Sequence, residues 1–176
     1  MKTKTASASA IALLMAIAAP AFAQPTPPSS SHDSHHAQVA PSSTPDIPDA
    51  ATSAVKQVDD FSKALAAADF DRVKSLLAPD AIILESGGVE RSREEYLDHH
   101  AKSDAAFLGG ANVNVLSRTA RVDGNLAWVA TESEIHTSRD NKPVTLLSTE
   151  TMILNDRSGD WQIVHIHWSS RPKKAE

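Results

Sequence analysis

Two histidines and a serine recur at alternate positions in the segment Trp161-Gln-Ile-Val-His-Ile-His-Trp-Ser169. β-Branched and aromatic residues fill the rest of it, which predicts a strand. Side chains alternate along a strand. Trp161, Ile163, His165, His167 and Ser169 are therefore expected on one face, and Gln162, Val164, Ile166 and Trp168 on the other. Two imidazoles and a hydroxyl on an otherwise apolar face need polar partners or a cavity, because burying such groups unsatisfied costs roughly 2–7 kcal/mol each.

A histidine beside a carboxylate can act as a general base near neutral pH, where its unperturbed pKa lies. His165 and His167 are the candidate bases. Glu150 and Glu85 are the candidate carboxylates, orienting a histidine or serving as the base themselves when buried. Ser148, Glu150 and Met152 share one face of the preceding strand, with Thr149 and Thr151 on the other. Trp128, Glu132 and Glu134 share a face one strand earlier. Tyr96, His99 and His100 lie on a predicted helix. Trp128, Glu132, Thr149, Ser169, Tyr96, His99 and His100 complete the candidate ligand-binding set.

Two other readings of the same residues stand beside this one. The histidines can form a core hydrogen-bond network with Thr, Ser or Glu neighbours. At i, i+2 on one face they can also offer two metal ligands, with a carboxylate or His99 as the third. That spacing is not a diagnostic metal motif, and no metal is assigned. No Gly-x-Ser-x-Gly elbow, phosphate-binding glycine loop or zincin motif occurs, so no cofactor is assigned.

These residues need elements to hold them. Val55, Val58, Phe61, Leu65 and Ala68 recur at helical spacing and predict an amphipathic first helix. Asp69 caps a short second helix that stops at Pro79. Ala81 to Glu85 reads as a strand, Gly87-Gly88 as a turn, and Val89 to Arg91 as a brief return strand. Ser92-Arg-Glu-Glu95 is a capping-box pattern, so a third helix runs from there towards Phe107 and ends at Gly109-Gly110. Four strands follow: Asn112 to Val122, Asn125 to Thr137, Pro143 to Asn155, and Trp161 to Ser170. Their short connections force antiparallel neighbours. The expected architecture is an α+β domain: a cone-shaped, curved antiparallel sheet wrapped around three helices, with a central pocket.

The first residues read as a secretory leader. Lys2 and Lys4 are followed by an apolar run from Ala10 to Ala19 and a small-x-small site at Ala21-Phe22-Ala23, so cleavage is expected after Ala23 and the destination is the periplasm or the medium. No segment is long enough for a membrane span. Residues 24–48 are rich in Pro, Ser and Thr, carry His32, His35 and His36, and read as a linker without a core. The folded domain is expected over residues 49–171, with a short tail at 172–176. Loss of the leader removes two lysines and takes the formal charge from −5 to −7. That balance argues against nucleic acid and anionic membranes as partners. The chain has no cysteine, which removes disulfides and thiolate chemistry.

Several phrases then gain weight together: Leu76-Leu77-Ala-Pro-Asp80, Ser92-Arg-Glu-Glu-Tyr-Leu-Asp-His-His100, Leu126-Ala-Trp-Val129, Ser148-Thr-Glu-Thr-Met152 and Gly159-Asp-Trp-Gln-Ile-Val-His-Ile-His-Trp-Ser-Ser170. Their order resembles the SnoaL-like proteins, within the cone-fold superfamily that includes nuclear transport factor two and ketosteroid isomerase. The resemblance covers about Ala50 to Arg171. It implies a cavity between the concave sheet face and the helices, with polar residues at its floor. The steroid-isomerase branch uses an aspartate base with a tyrosine and a protonated aspartate, and the sequence places no such set here. The functions expected are small-molecule binding, acid–base catalysis on a small organic substrate, or protein–protein interaction. The stripe Val164, Ile166 and Trp168, opposite the histidines, predicts a homodimer through the sheet face.

Overall fold

The computed structural model describes residues 46–140 and 142–174. The chain divides into two units, Met1–Gln38 and Val39–Glu176, and the described residues all belong to the second. The leader and the linker histidines His32, His35 and His36 lie outside the described residues.

Helix α1 (Thr52–Ala66) buries Ala54, Val55, Val58, Phe61, Ala64 and Leu65, the stripe that its helical periodicity demands. Ala68 adopts a positive φ of 55° after it, and Asp69 then caps α2 (Phe70–Leu76) by accepting from the Arg72 N–H at 3.0 Å. Strand β1 (Leu77–Glu85) follows without a loop and starts four residues before its expected position. Pro79 lacks an N–H and biases Ala78 towards extended backbone, so a strand is what can follow the helix there. Strand β2 (Gly88–Glu90) returns antiparallel to β1.

The third helix is two helices. Helix α3 (Arg93–Asp98) starts as the capping box predicts, with the Ser92 hydroxyl accepting from Glu95 N–H at 3.1 Å and Glu95 reaching back to the Arg91 N–H at 2.7 Å. The backbone leaves the helix at His99, and α4 (Ala101–Gly109) begins after His100, whose ring pairs with Glu90 on β2.

Strands β3 (Asn112–Asp123), β4 (Leu126–Arg139), β5 (Lys142–Arg157) and β6 (Asp160–Pro172) form the antiparallel meander. The six strands lie in the order β2-β1-β6-β5-β4-β3. The β1–β6 pair is parallel, so the sheet is mixed. Short hairpins dictate antiparallel pairing only between consecutive strands, and β1 and β6 are the first and last. The packed domain also takes in Asp46 and Ile47. Asp46 bridges to the β3 edge at Thr119, and Ile47 packs on the core.

One register irregularity decides which side chains face the helices. Ile153 pairs with His165 and Leu154 pairs with Ile163, so Val164 is an extra residue in β6. A bulge of this kind reverses the phase of the strand beyond it. Ile163 and Ile166 are both fully buried, and Trp168 packs on the same core. His165 and His167 consequently lie on the outer face of the sheet, opposite to the expected one. The stripe predicted as a subunit interface is corrected with them, because Ile166 and Trp168 face the helices.

This placement has a simple consequence for stability. Ile166→Ala is expected to cost about 2–5 kcal/mol, and His167→Ala to stay within about 0.5 kcal/mol, in urea unfolding followed by circular dichroism. Equal costs for the two would contradict the assigned phase.

Candidate functional site

The inner face of the sheet carries one cross-strand row through five strands. Arg118 pairs with Thr131, Thr131 with Glu150, Glu150 with Trp168, and Trp168 with Glu85. All five line a cavity of about 450 Å³ between the sheet and the helices α1 and α4. A volume of that size suits a small organic molecule. Phe61 and Leu65 of α1 and Phe107 and Leu108 of α4 supply its apolar walls. Ser133, Ser148 and Ser170 continue the polar lining towards the next row.

Each member of the row is held by its neighbours. The Trp168 Nε1–H donates to Glu150 Oε2 at 2.8 Å. The Trp168 ring also stacks on Phe61 at a centroid distance of 6.3 Å and lies at a tilt beside Tyr96. Arg118 donates through Nε to the Thr131 hydroxyl at 3.1 Å and through a terminal nitrogen to Asp59 of α1 at 2.6 Å. Burial pushes the Glu150 carboxyl above its ordinary pKa, against the opposing pull of Trp168, Arg118 and Thr131. A carboxyl poised in this way can hold or release a proton inside the cavity.

A second group of ionisable side chains surrounds the end of β1. Glu85 and Asp104 both line the cavity. Burial raises the pKa of each, and the Asp104 charge raises Glu85 further. Tyr96, fully buried, donates its hydroxyl to Asp104 at 2.9 Å. Burial and the neighbouring carboxylates raise its pKa as well. The Glu90 side chain is buried and pairs with the exposed His100, whose pKa the Glu90 hydrogen bond raises.

The predicted site residues separate accordingly. Glu150 and Glu85 come together in the cavity. Tyr96 lies behind the wall with its hydroxyl committed to Asp104, and His99 and His100 are exposed and do not line it. Trp128, Glu132, Thr149, His165 and His167 sit on the outer face, in register rows such as Trp128–Ile153–His165 and Glu132–Thr149–Ser169. Ser169 shares that face and touches the cavity rim. The His165 Nδ1–H donates to the Ile82 carbonyl at 3.0 Å. Sequence reasoning missed Arg118, Thr131, Asp104 and Asp59. Arg118 was the detectable one, an arginine inside an alternating strand. Among the described residues no three His, Asp or Glu side chains are grouped to hold a metal ion.

Two pH effects follow. The folded-state pKa of Glu150 lies above its unbound value of 4.5, so its contribution to stability is fully present below pH 4.5 and is lost as pH rises through the folded pKa. Glu150→Gln is expected to flatten that fall in unfolding titrations across the acid range. A pH profile parallel to the parent's would contradict it. His100 is also raised, from 6.5, so its pairing with Glu90 contributes fully below pH 6.5 and fades as pH rises through the folded value. His100→Gln should therefore lower the melting temperature at about pH 5 and leave it unchanged at about pH 9. A deficit of equal size at both pH values would remove the assigned pairing.

Residues 55–172 match the SnoaL-like domain family. A solved protein from Shewanella frigidimarina, described as a candidate ketosteroid isomerase, is 31% identical, with a TM-score of 0.65 over 67% of this chain and 95% of that one. The calcium/calmodulin-dependent kinase hub of S. rosetta is similar in fold alone, at 18% identity and a TM-score of 0.60 over 68% of this chain and 95% of that one. An NTF2-like protein of unknown function from Pseudomonas putida KT2440 is likewise similar in fold, at 17% identity and a TM-score of 0.56 over 70% and 88% of the two chains. No curated protein matches the sequence. The match over most of the folded domain, and the mixed sheet closing on its helices, place this chain in the SnoaL-like family of the NTF2-like, ketosteroid-isomerase-like fold.

Proposed function

We propose that this chain is an exported SnoaL-like protein that binds a small organic molecule between its sheet and its helices. The observation that carries the reading is the row Arg118–Thr131–Glu150–Trp168–Glu85, which lines an apolar cavity with hydrogen-bonding groups at fixed spacing. A domain that used its fold only as a scaffold would gain stability by filling this space with Leu, Ile or Val. The leader pattern read in residues 1–23 supports export to the periplasm or the medium, and N-terminal sequencing of the released protein tests it by the expected start at Gln24.

A second reading is acid–base catalysis on the bound molecule. The raised Glu150 carboxyl favours it, with Glu85 as the other carboxyl on the row. In either reading the carboxylates of the inner face take the part that the sequence assigned to His165 and His167. A homodimer through the sheet is proposed on the outer face, where Ile82, Leu126 and Trp128 are each more than 40% exposed. Use of that face with a different protein is the interaction-module alternative.

The test is a thermal-shift screen of the purified protein against small aromatic, steroid-like and carboxylic compounds. A ligand of the cavity should stabilise the parent by about 2.7 kcal/mol at a hundredfold excess over Kd. Ser148→Trp, which fills the cavity, should abolish the effect, while His165→Ala and His167→Ala should keep it. Stabilisation that survives Ser148→Trp, or none from any compound, would overturn the reading.

A further inference from the structure

We propose that the cavity takes an organic cation, a protonated amine carried on a compact apolar body; the inference rests on the cavity-binding reading above. The space between sheet and helices is the site, and the charged groups around it set the sign of what it accepts. Four carboxylates line it, on Asp59, Glu85, Asp104 and Glu150, against two cations, Lys63 and Arg118.

Only one of the two cations is tied to a lining carboxylate, and three carboxylates remain against the other. Arg118 is held by Asp59 and Thr131. Lys63 lies on an exposed position of α1 and forms no ion pair among the described residues. His100 pairs with Glu90, and from outside the lining its charge also acts on Glu85 and Asp104. The Glu85 carboxylate has no hydrogen-bond or ion-pair partner among the described residues, and Asp104 has the Tyr96 hydroxyl alone. These two sit at the half-buried end of β1 and on α4, facing the same space.

An ammonium group answers both deficits. Its N–H donors meet oxygens that lack donors, and its charge offsets two carboxylates that each lose ionisation to burial. The aromatic walls fit the same ligand. Phe61, Phe107 and Trp168 line the cavity, and aromatic rings attract organic cations while packing an apolar body. A carboxylate ligand would instead add a like charge to the lining.

The experiment uses two matched series on the purified protein. They are tryptamine, tryptophol and indole-3-propionate, and 3-phenylpropylamine, 3-phenylpropanol and 3-phenylpropionate. Affinity is read by calorimetry. The amine of a series should bind at least about tenfold more tightly than its alcohol, with the carboxylate weakest. Glu85→Gln/Asp104→Asn should erase that preference, bringing the amine's affinity down to that of its alcohol. If the double variant does not fold, Glu85→Gln alone serves for the comparison, since no hydrogen bond ties that carboxylate down. An alcohol or carboxylate that binds as tightly as its amine, and is displaced by Ser148→Trp, overturns the cation and leaves the cavity reading standing. A preference that survives the variants also overturns it. Binding by no member of either series, in a protein that also failed the broader screen, overturns both readings.

Discussion

Strand β6 has to satisfy two constraints at once. It hydrogen-bonds antiparallel to β5 and parallel to β1, so it sits inside the sheet with no free edge. It must also present large apolar side chains to the core under the helices. The extra residue at Val164 reconciles these demands by letting Ile163 and Ile166 both reach the core. Everything beyond the bulge inherits the new phase. Trp168 turns inward onto Phe61 and meets Glu150, its cross-strand partner, which alternation along β5 already turns inward. That one inserted residue is what brings Trp168 into the cavity row.

The row is expensive to build. A carboxylate at Glu150 and a guanidinium at Arg118 leave water for the inner face of a sheet, and each must recover its solvation from fixed partners. The indole N–H, the Thr131 hydroxyl and Asp59 provide them. Neighbouring rows show the contrast: Val129, Met152 and Ile166 stack as an ordinary apolar layer, completely buried. The polar row lies one step further towards the open end, where helix cover gives way to empty volume. Packing and ligand space are thus divided along the strands in successive layers of the same sheet.

The β1–β2 hairpin and the α3–α4 break form a separate electrostatic unit. Glu85, Glu90, Asp104, Tyr96 and His100 lie within mutual influence, and three of the five are carboxylates. The break at His99–His100 places one imidazole against buried Glu90 and leaves Asp104 to Tyr96. Helix α4 therefore joins the hairpin through charge as well as through packing, and both elements border the cavity.

The element order, the capping box at Ser92, the cap at Asp69 and the meander turns were legible from local sequence, because each depends on residues within a few positions of one another. The fold family was legible too, from the order of those elements. Glu85 and Glu150 were legible as candidate carboxylates, Glu85 from its place at the end of the first strand and Glu150 from alternation along β5. The histidines were misplaced because alternation counts residues, and a bulge adds one without any local mark; Val164 is as good a strand residue as its neighbours. Arg118 and Asp59 meet across 59 residues, and Tyr96 meets Asp104 through a helix break that periodicity does not register. Sequence by itself thus determined which segments form helices and strands, since backbone preference is local. The tertiary structure alone decided which face of β6 is inside, because that choice is made by the apolar surface buried across the whole sheet.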